Sequence, residues 1–265
     1  MSARFAALLG KELLDLSRNR GALLPVAIVA LVALLLPFGV ALAIPAVTGQ
    51  RLGDDSDLVR VSAVVGAHEA LTRDGRVQLF LFQQFLMLFL LTPITGAMAL
   101  AAHSIVGEKQ ARTLEPLLAT PIGTIELLVA KVLGSLIPTL AIAVAGLVLY
   151  FAGLACLAEP GVVRAMITPR TSVLVLLVSP ASALVSLQSA IIVSSRVNDA
   201  RTAQQFGVLI IIPLTVVLVA QFAGMLWLSA RAFALVGVGM LAVWVLLTLV
   251  SAALFKRDTI LTNWR

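Results

Sequence analysis

The sequence predicts an all-α integral membrane protein with six transmembrane helices, and three observations carry that prediction. Its 265 residues are 60% hydrophobic and only 12% charged, with a mean hydropathy of +1.07, whereas soluble domains are roughly 25% charged. Apolar runs of more than about 18 residues recur along the chain, each long enough to cross the roughly 30 Å hydrocarbon core as a helix. The runs are continuous rather than alternating, which excludes a closed barrel, the other architecture that satisfies its backbone in lipid.

The elements follow in order along one domain, 1–265. Residues 1–20 place Phe5, Leu8, Leu9, Leu13 and Leu16 on one side and Lys11, Asp15 and Arg18 on the other, which predicts a short amphipathic helix at the membrane surface. Span one covers Ala22 to Ile44, with Pro37 as an expected kink. Ala41-Leu42-Ala43 has the form of a signal-peptidase site, but the apolar stretch far exceeds a signal core of roughly 7 to 15 residues, so an uncleaved span is expected. Residues 45–76 are polar and form the one sizeable loop. Span two covers Val77 to Ile105, span three Val132 to Ala155, span four Ser172 to Ser194, span five Phe206 to Leu228 and span six Ala232 to Phe255. Only Ser229-Ala230-Arg231 separates the last two, predicting a tight antiparallel hairpin.

Charge fixes an expected orientation. Of 19 Lys and Arg, twelve fall on the side holding both termini and seven on the other. The richer side is expected to be cytoplasmic, with residues 45–76 extracytoplasmic. The same rule accounts for the net charge of +6 without invoking nucleic acid. Cys156, the single cysteine, can form no intrachain disulfide, and its apolar neighbours suggest a packing role.

No Asp, Glu, Lys or Arg stands near the centre of any span, which argues against the relay of a proton-coupled carrier. The polar residues within spans that could line a substrate path are Gln83, Gln84, Thr92, Thr95, Gln188 and Gln221, with helix-to-helix hydrogen bonding as their ordinary role. His68 and His103 are the only histidines, and His103 and Ser104, about 100° apart on a helix, cannot face each other as base and nucleophile. No catalytic residue and no metal-ligand cluster is expected. There is no GxxxxGK[ST] phosphate loop, so any ATP hydrolysis belongs to another chain.

Between spans two and three, Glu108, Arg112 and Glu115 share one helical face, with Ala111, Leu114 and Leu118 opposite. Pro116 should break this helix, and Thr120 and Pro121 suit the cap and first residue of the next. Such a segment is either an interfacial connector or a docking element for a cytoplasmic partner. The string GEKQARTLEPLLATPIGTIELLVAK, Gly107 to Lys131, resembles the hallmark of type-2 ABC transporter permeases, as do SSRVNDARTAQQFG from Ser194, FKRDTILTNW near the end, and Lys11-Glu12-Leu13 with Arg18-Asn19-Arg20 at the start. One departure is local: Ala111-Arg112 stands where the family often has an acidic residue and Gly, so a tighter or more helical turn is expected here.

The resemblance implies an exporter-like membrane subunit in the cytoplasmic (inner) membrane, paired with a second permease copy or paralogue and driven by a cytoplasmic ABC ATPase subunit that binds ATP and Mg. Residues 1–20 would be the connecting helix and 107–123 the coupling helix, with Glu108, Lys109, Arg112, Thr113, Leu114, Glu115, Leu117, Leu118, Thr120 and Pro121 contacting the ATPase. Lys11, Glu12, Arg196, Asp199 and Arg201 would add a secondary cytoplasmic contact. A stand-alone secondary carrier or channel, and more remotely an intramembrane enzyme, are the competing classes.

Overall fold

The computed structural model describes residues 3–66, 71–112, 124–197, 199, 202, 205 and 208–254. Every regular element among them is helical. An amphipathic helix α1 (Ala3–Arg18) leads into α2 (Arg20–Thr48) through Asn19, whose side chain accepts from the Ala22 N–H and caps the new helix. After α2 come a 3₁₀ turn at Leu52–Asp54 and a short helix α3 (Ser56–Ser62), capped by Asp55 on the Asp57 and Leu58 amides. Residues 45–76 are therefore not all loop: Pro45 lies inside α2, and much of the remainder is helical.

Span two forms as two stacked helices, α4 (Arg73–Leu88) and α5 (Leu91–Gln110). Pro93 causes the interruption. It has no N–H for the carbonyl of Phe89, which takes the Thr92 N–H instead at 3.1 Å and tightens the chain into a turn. Span three is one long helix, α6 (Thr124–Leu157), followed by the short helices α7 (Val162–Met166) and α8 (Pro169–Val173). Span four continues from α8 through a π turn at Leu174–Val178 into α9 (Ser179–Arg196). Pro180 supplies the reason for this irregularity, because it offers no amide; the Ser179 N–H reaches Leu174 O, five residues back.

α10 (Val208–Phe222) and α11 (Ala230–Leu254) complete the chain. Among the described residues five helical stretches are long and apolar enough to span a membrane. α10, at 15 residues, extends only about 22 Å and falls short of the five. The expected tight hairpin does not form either. α10 packs on α4, with Phe222 against Phe80 and Phe85 at ring separations of 6.3 and 5.4 Å, whereas α11 packs on α8, the π turn and α9. The seven-residue connection 223–229, longer than expected, lets the two legs separate.

Span two is the axis of the bundle. Its apolar window is 83% buried, against 22% for α2 and α6 and 11% for α11. α5 is enclosed by α9, α6 and α2, with Ala97, Ala101, Ala183 and Ala190 letting α5 and α9 approach closely. Tyr150 of α6 donates to Phe82 O at 2.7 Å and joins span three to α4. Cys156, expected to pack, is exposed near the end of α6, because its apolar neighbours there, such as Leu157, belong to the outward face.

Candidate functional site

At the end of the bundle where α1, α5 and α6 meet, four charged side chains form a network. The inner stripe of α1 is Leu8, Glu12 and Leu16, spaced four apart, all buried. Two of these join apolar clusters; the middle one is an acid only 3% exposed. α6 brings Lys131, 2% exposed, one turn before Gly134, and α5 brings Ser104 and Glu108 at i and i+4. Close approach of α1 and α6 depends on Gly134, where a Cβ would lie 2.7 Å from the Cβ of Glu12.

The geometry alternates in sign. Lys131 Nζ lies 2.7 Å from Glu108 Oε2 and 3.3 Å from Glu12 Oε1. Lys11 Nζ lies 2.6 Å from Glu108 Oε1, 3.5 Å from Glu12 Oε1 and 3.4 Å from Asp15 Oδ2. Ser104 Oγ donates to Glu12 Oε2 at 2.9 Å, and Lys131 Nζ donates to Ser104 O at 3.3 Å. Two ammonium groups thus stand between two carboxylates, with Asp15 at the exposed edge. Burial pushes the Lys11 ammonium down, but the Glu108 hydrogen bond and the charges of Glu108, Glu12 and Asp15 outweigh it and hold its pKa above the ordinary 10.5.

Immediately beyond Glu108 the chain leaves the helix. Glu108 and Arg112 do not share the expected helical face: α5 ends at Gln110, and Arg112 turns into the left-handed region at φ 53°. Arg112 occupies the position just past the helix cap, where glycine is usual. Glu108 therefore pairs with Lys11 and Lys131. Lys109 points to α9, donating to the carbonyls of Ser194 and Ser195, each at 2.8 Å, and of Val197 at 3.1 Å. An ammonium on the last carbonyls of a helix satisfies acceptors and opposes the helix dipole.

Of the other expected contact residues, Thr113, Leu114, Glu115, Leu117, Leu118, Thr120 and Pro121 lie outside the described residues, as do Arg201 and the side chain of Arg196. Asp199 accepts from the amide and hydroxyl of Thr202, each at 3.1 Å. Glu12 is turned into the bundle. Sequence reasoning passed over Ser104 and Lys131 as site residues. The available signal was a lysine set directly among Val129, Ala130, Val132 and Leu133, where an unpaired charge is costly.

Of the six polar residues considered for a substrate path, two meet on one side chain. Gln83 and Gln221 converge on Arg170, as described below. Thr95 donates to Leu91 O of its own helix at 2.6 Å. Gln84, Thr92 and Gln188 are buried, and no hydrogen-bond partner appears among the described residues for the Gln84 amide, Thr92 Oγ1 or Gln188 Oε1.

Comparison with known proteins gives a family. No curated protein matches the chain. A family model described as "ABC-2 family transporter protein" matches residues 6–257, from within α1 to beyond α11. The charged network, the 107–123 segment and the apolar helices thus lie within one continuous match. The chain belongs to the ABC-2 transporter family, and is a multi-pass membrane subunit of an ABC transporter rather than a catalytic subunit.

Proposed function

We propose that this subunit is the membrane half of an exporter in the cytoplasmic membrane, with six spans, both termini cytoplasmic, and a second permease copy or paralogue beside it. A cytoplasmic ABC ATPase, carrying ATP and Mg, drives it through residues 107–123. One observation carries the reading: Lys11, Glu12, Glu108 and Lys131 join α1, α5 and α6 at the base of that segment. Displacement of the segment would then move the first helix and spans two and three together. Lys109 extends the connection to the end of span four. In this reading α10 belongs to the sixth span.

The test uses tagged chain purified from its native membranes. An ABC ATPase should co-purify with the wild type and be lost on Leu117→Asp. Glu108→Lys should keep membrane insertion while abolishing ATP-dependent transport in vesicles. If both variants retain ATPase and transport, force does not pass through this segment. Recovery of the chain with no ATPase, together with transport driven by an ion gradient, would make it a stand-alone carrier.

A further inference from the structure

The separated legs of the last hairpin enclose a second site. A cavity of about 470 Å³ lies between α10 and α11, floored by α4, α5 and α9. Its wall is apolar: Met87, Ile94, Leu214 and Met240 are representative. Its volume falls in the roughly 300–1,000 Å³ range of small-molecule sites. Val236 and Val243 both line it and are 44% and 45% exposed, so it opens sideways onto the apolar exterior of the bundle.

A cation stands at one end. Arg170, in α8, donates from Nε to Leu228 O at 2.9 Å, and Leu228 also lines the cavity. Its other nitrogens donate to Gln83 Oε1 at 3.0 Å and Gln221 Oε1 at 2.9 Å. The guanidinium lies over the Trp227 ring at 3.9 Å and 5.4 Å from the ring of Phe233, another cavity residue. All these partners are neutral, and Arg170 has no carboxylate partner among the described residues. A guanidinium has five N–H donors, and three bonds leave donors in hand. Gln221, fully buried, gives its oxygen to Arg170, so its Nε2 lies beside the guanidinium, and that Nε2 has no partner among the described residues.

A cation with no carboxylate and an amide donor with no partner among the described residues, next to an apolar cavity that opens sideways, describe a receptor for one kind of molecule. We infer that the cleft between α10 and α11 binds an anionic amphiphile, its apolar chain in the cavity and an anionic oxygen of its head on Arg170 and Gln221. Fixed orientation of the guanidinium by Gln83, Leu228 and Trp227 prepares it for that oxygen. The occupant is the class of cargo this subunit would handle, a step that rests on the transport reading; the binding itself does not.

The probe is a monoalkyl phosphate bearing a diazirine in its chain, compared with the matching uncharged alcohol on the purified chain in nanodiscs of neutral lipid, without ATPase or ATP. The phosphate should bind at least about tenfold more tightly than the alcohol and crosslink to α10 and α11. R170Q should remove that preference, bringing phosphate and alcohol to equal affinity within the same variant, and G239F, placed where an added Cβ meets nothing within 4 Å, should weaken both. Equal binding of phosphate and alcohol by the wild type, a comparison that needs no variant to fold, overturns the proposal. So does an undiminished preference in R170Q, or crosslinking confined to other helices. Binding without ATP-driven movement of the probe leaves the site standing and removes its assignment as cargo site.

Discussion

Lys131 shows what burial does to a charge. Removing an ion from water costs several kcal/mol even after relaxation, and only close pairing offsets it. Lys131 has two carboxylates within 3.3 Å, so deleting it leaves Glu12 and Glu108 to share the one ammonium of Lys11. Lys131→Met should lower stability by roughly 3–5 kcal/mol, read as a fall in the thermal midpoint in detergent. The double variant Lys131→Met with Glu12→Gln, which restores charge balance, should recover most of the loss; equal damage in both would mean that the pairing is not what matters. Lys11, at the exposed edge, bears on pH. Its pKa is raised on folding, so its contribution is fully present below the unfolded value of about 10.4 and fades only as pH rises through the folded one. Accessibility of Leu8→Cys at the α1 interface should therefore show no Lys11-dependent change near neutral pH and rise only under strongly alkaline conditions. Arg112 lies in a conformation that costs a side chain about 1–2 kcal/mol, partly offset for glycine by its greater chain entropy. Arg112→Gly should tighten the end of α5 by about 0.5 kcal/mol, seen as slower hydrogen exchange at Ala111.

At the scale of elements, the contacts between helix ends are specific. Lys109 caps α9 from another helix, and Lys109→Met should expose the last carbonyls of α9 and lose about 1–2 kcal/mol locally. Faster exchange confined to 193–197 would confirm the cap; a uniform change along α9 would not. Gly134 sets how closely α1 approaches α6. Gly134→Val should push α1 off, which a Leu8→Cys and Leu127→Cys disulfide would report, since both residues belong to one apolar cluster. The prolines were legible in the sequence, but their effects were not all alike. Pro93 interrupts its helix and Pro180 accompanies a π turn, while Pro25, Pro37 and Pro45 all stand within the continuous α2. A missing amide is a local fact; how the neighbouring carbonyl is then satisfied depends on what packs around it.

For the whole molecule, α2, α6 and α11 expose apolar side chains between their polar ends, including Leu31, Leu35, Val144, Val148, Leu246 and Leu249. Such surfaces suit lipid or a second membrane subunit. Orientation is checked by labelling: Asp55→Cys should react with an impermeant maleimide from outside intact cells, and Gln110→Cys only after permeabilisation. The opposite pattern would invert the topology and place residues 107–123 out of reach of a cytoplasmic ATPase.

The sequence by itself determined the class of the protein, the approximate positions of its apolar helices, the amphipathic start and the family that residues 107–131 resemble. These are properties of composition and of period along one chain, and hydrocarbon thickness converts them directly into structure. Only the tertiary structure decided that Glu12 faces inward, that Glu108 pairs with Lys11 and Lys131 rather than with Arg112, that Arg170 meets Gln83 and Gln221, and that the last hairpin opens around a cavity. The physical reason is common to all four. Charge pairing and cavity walls depend on residues far apart in the chain, Glu12 and Lys131 being 119 positions apart, and helical periodicity carries no information about which helix stands opposite.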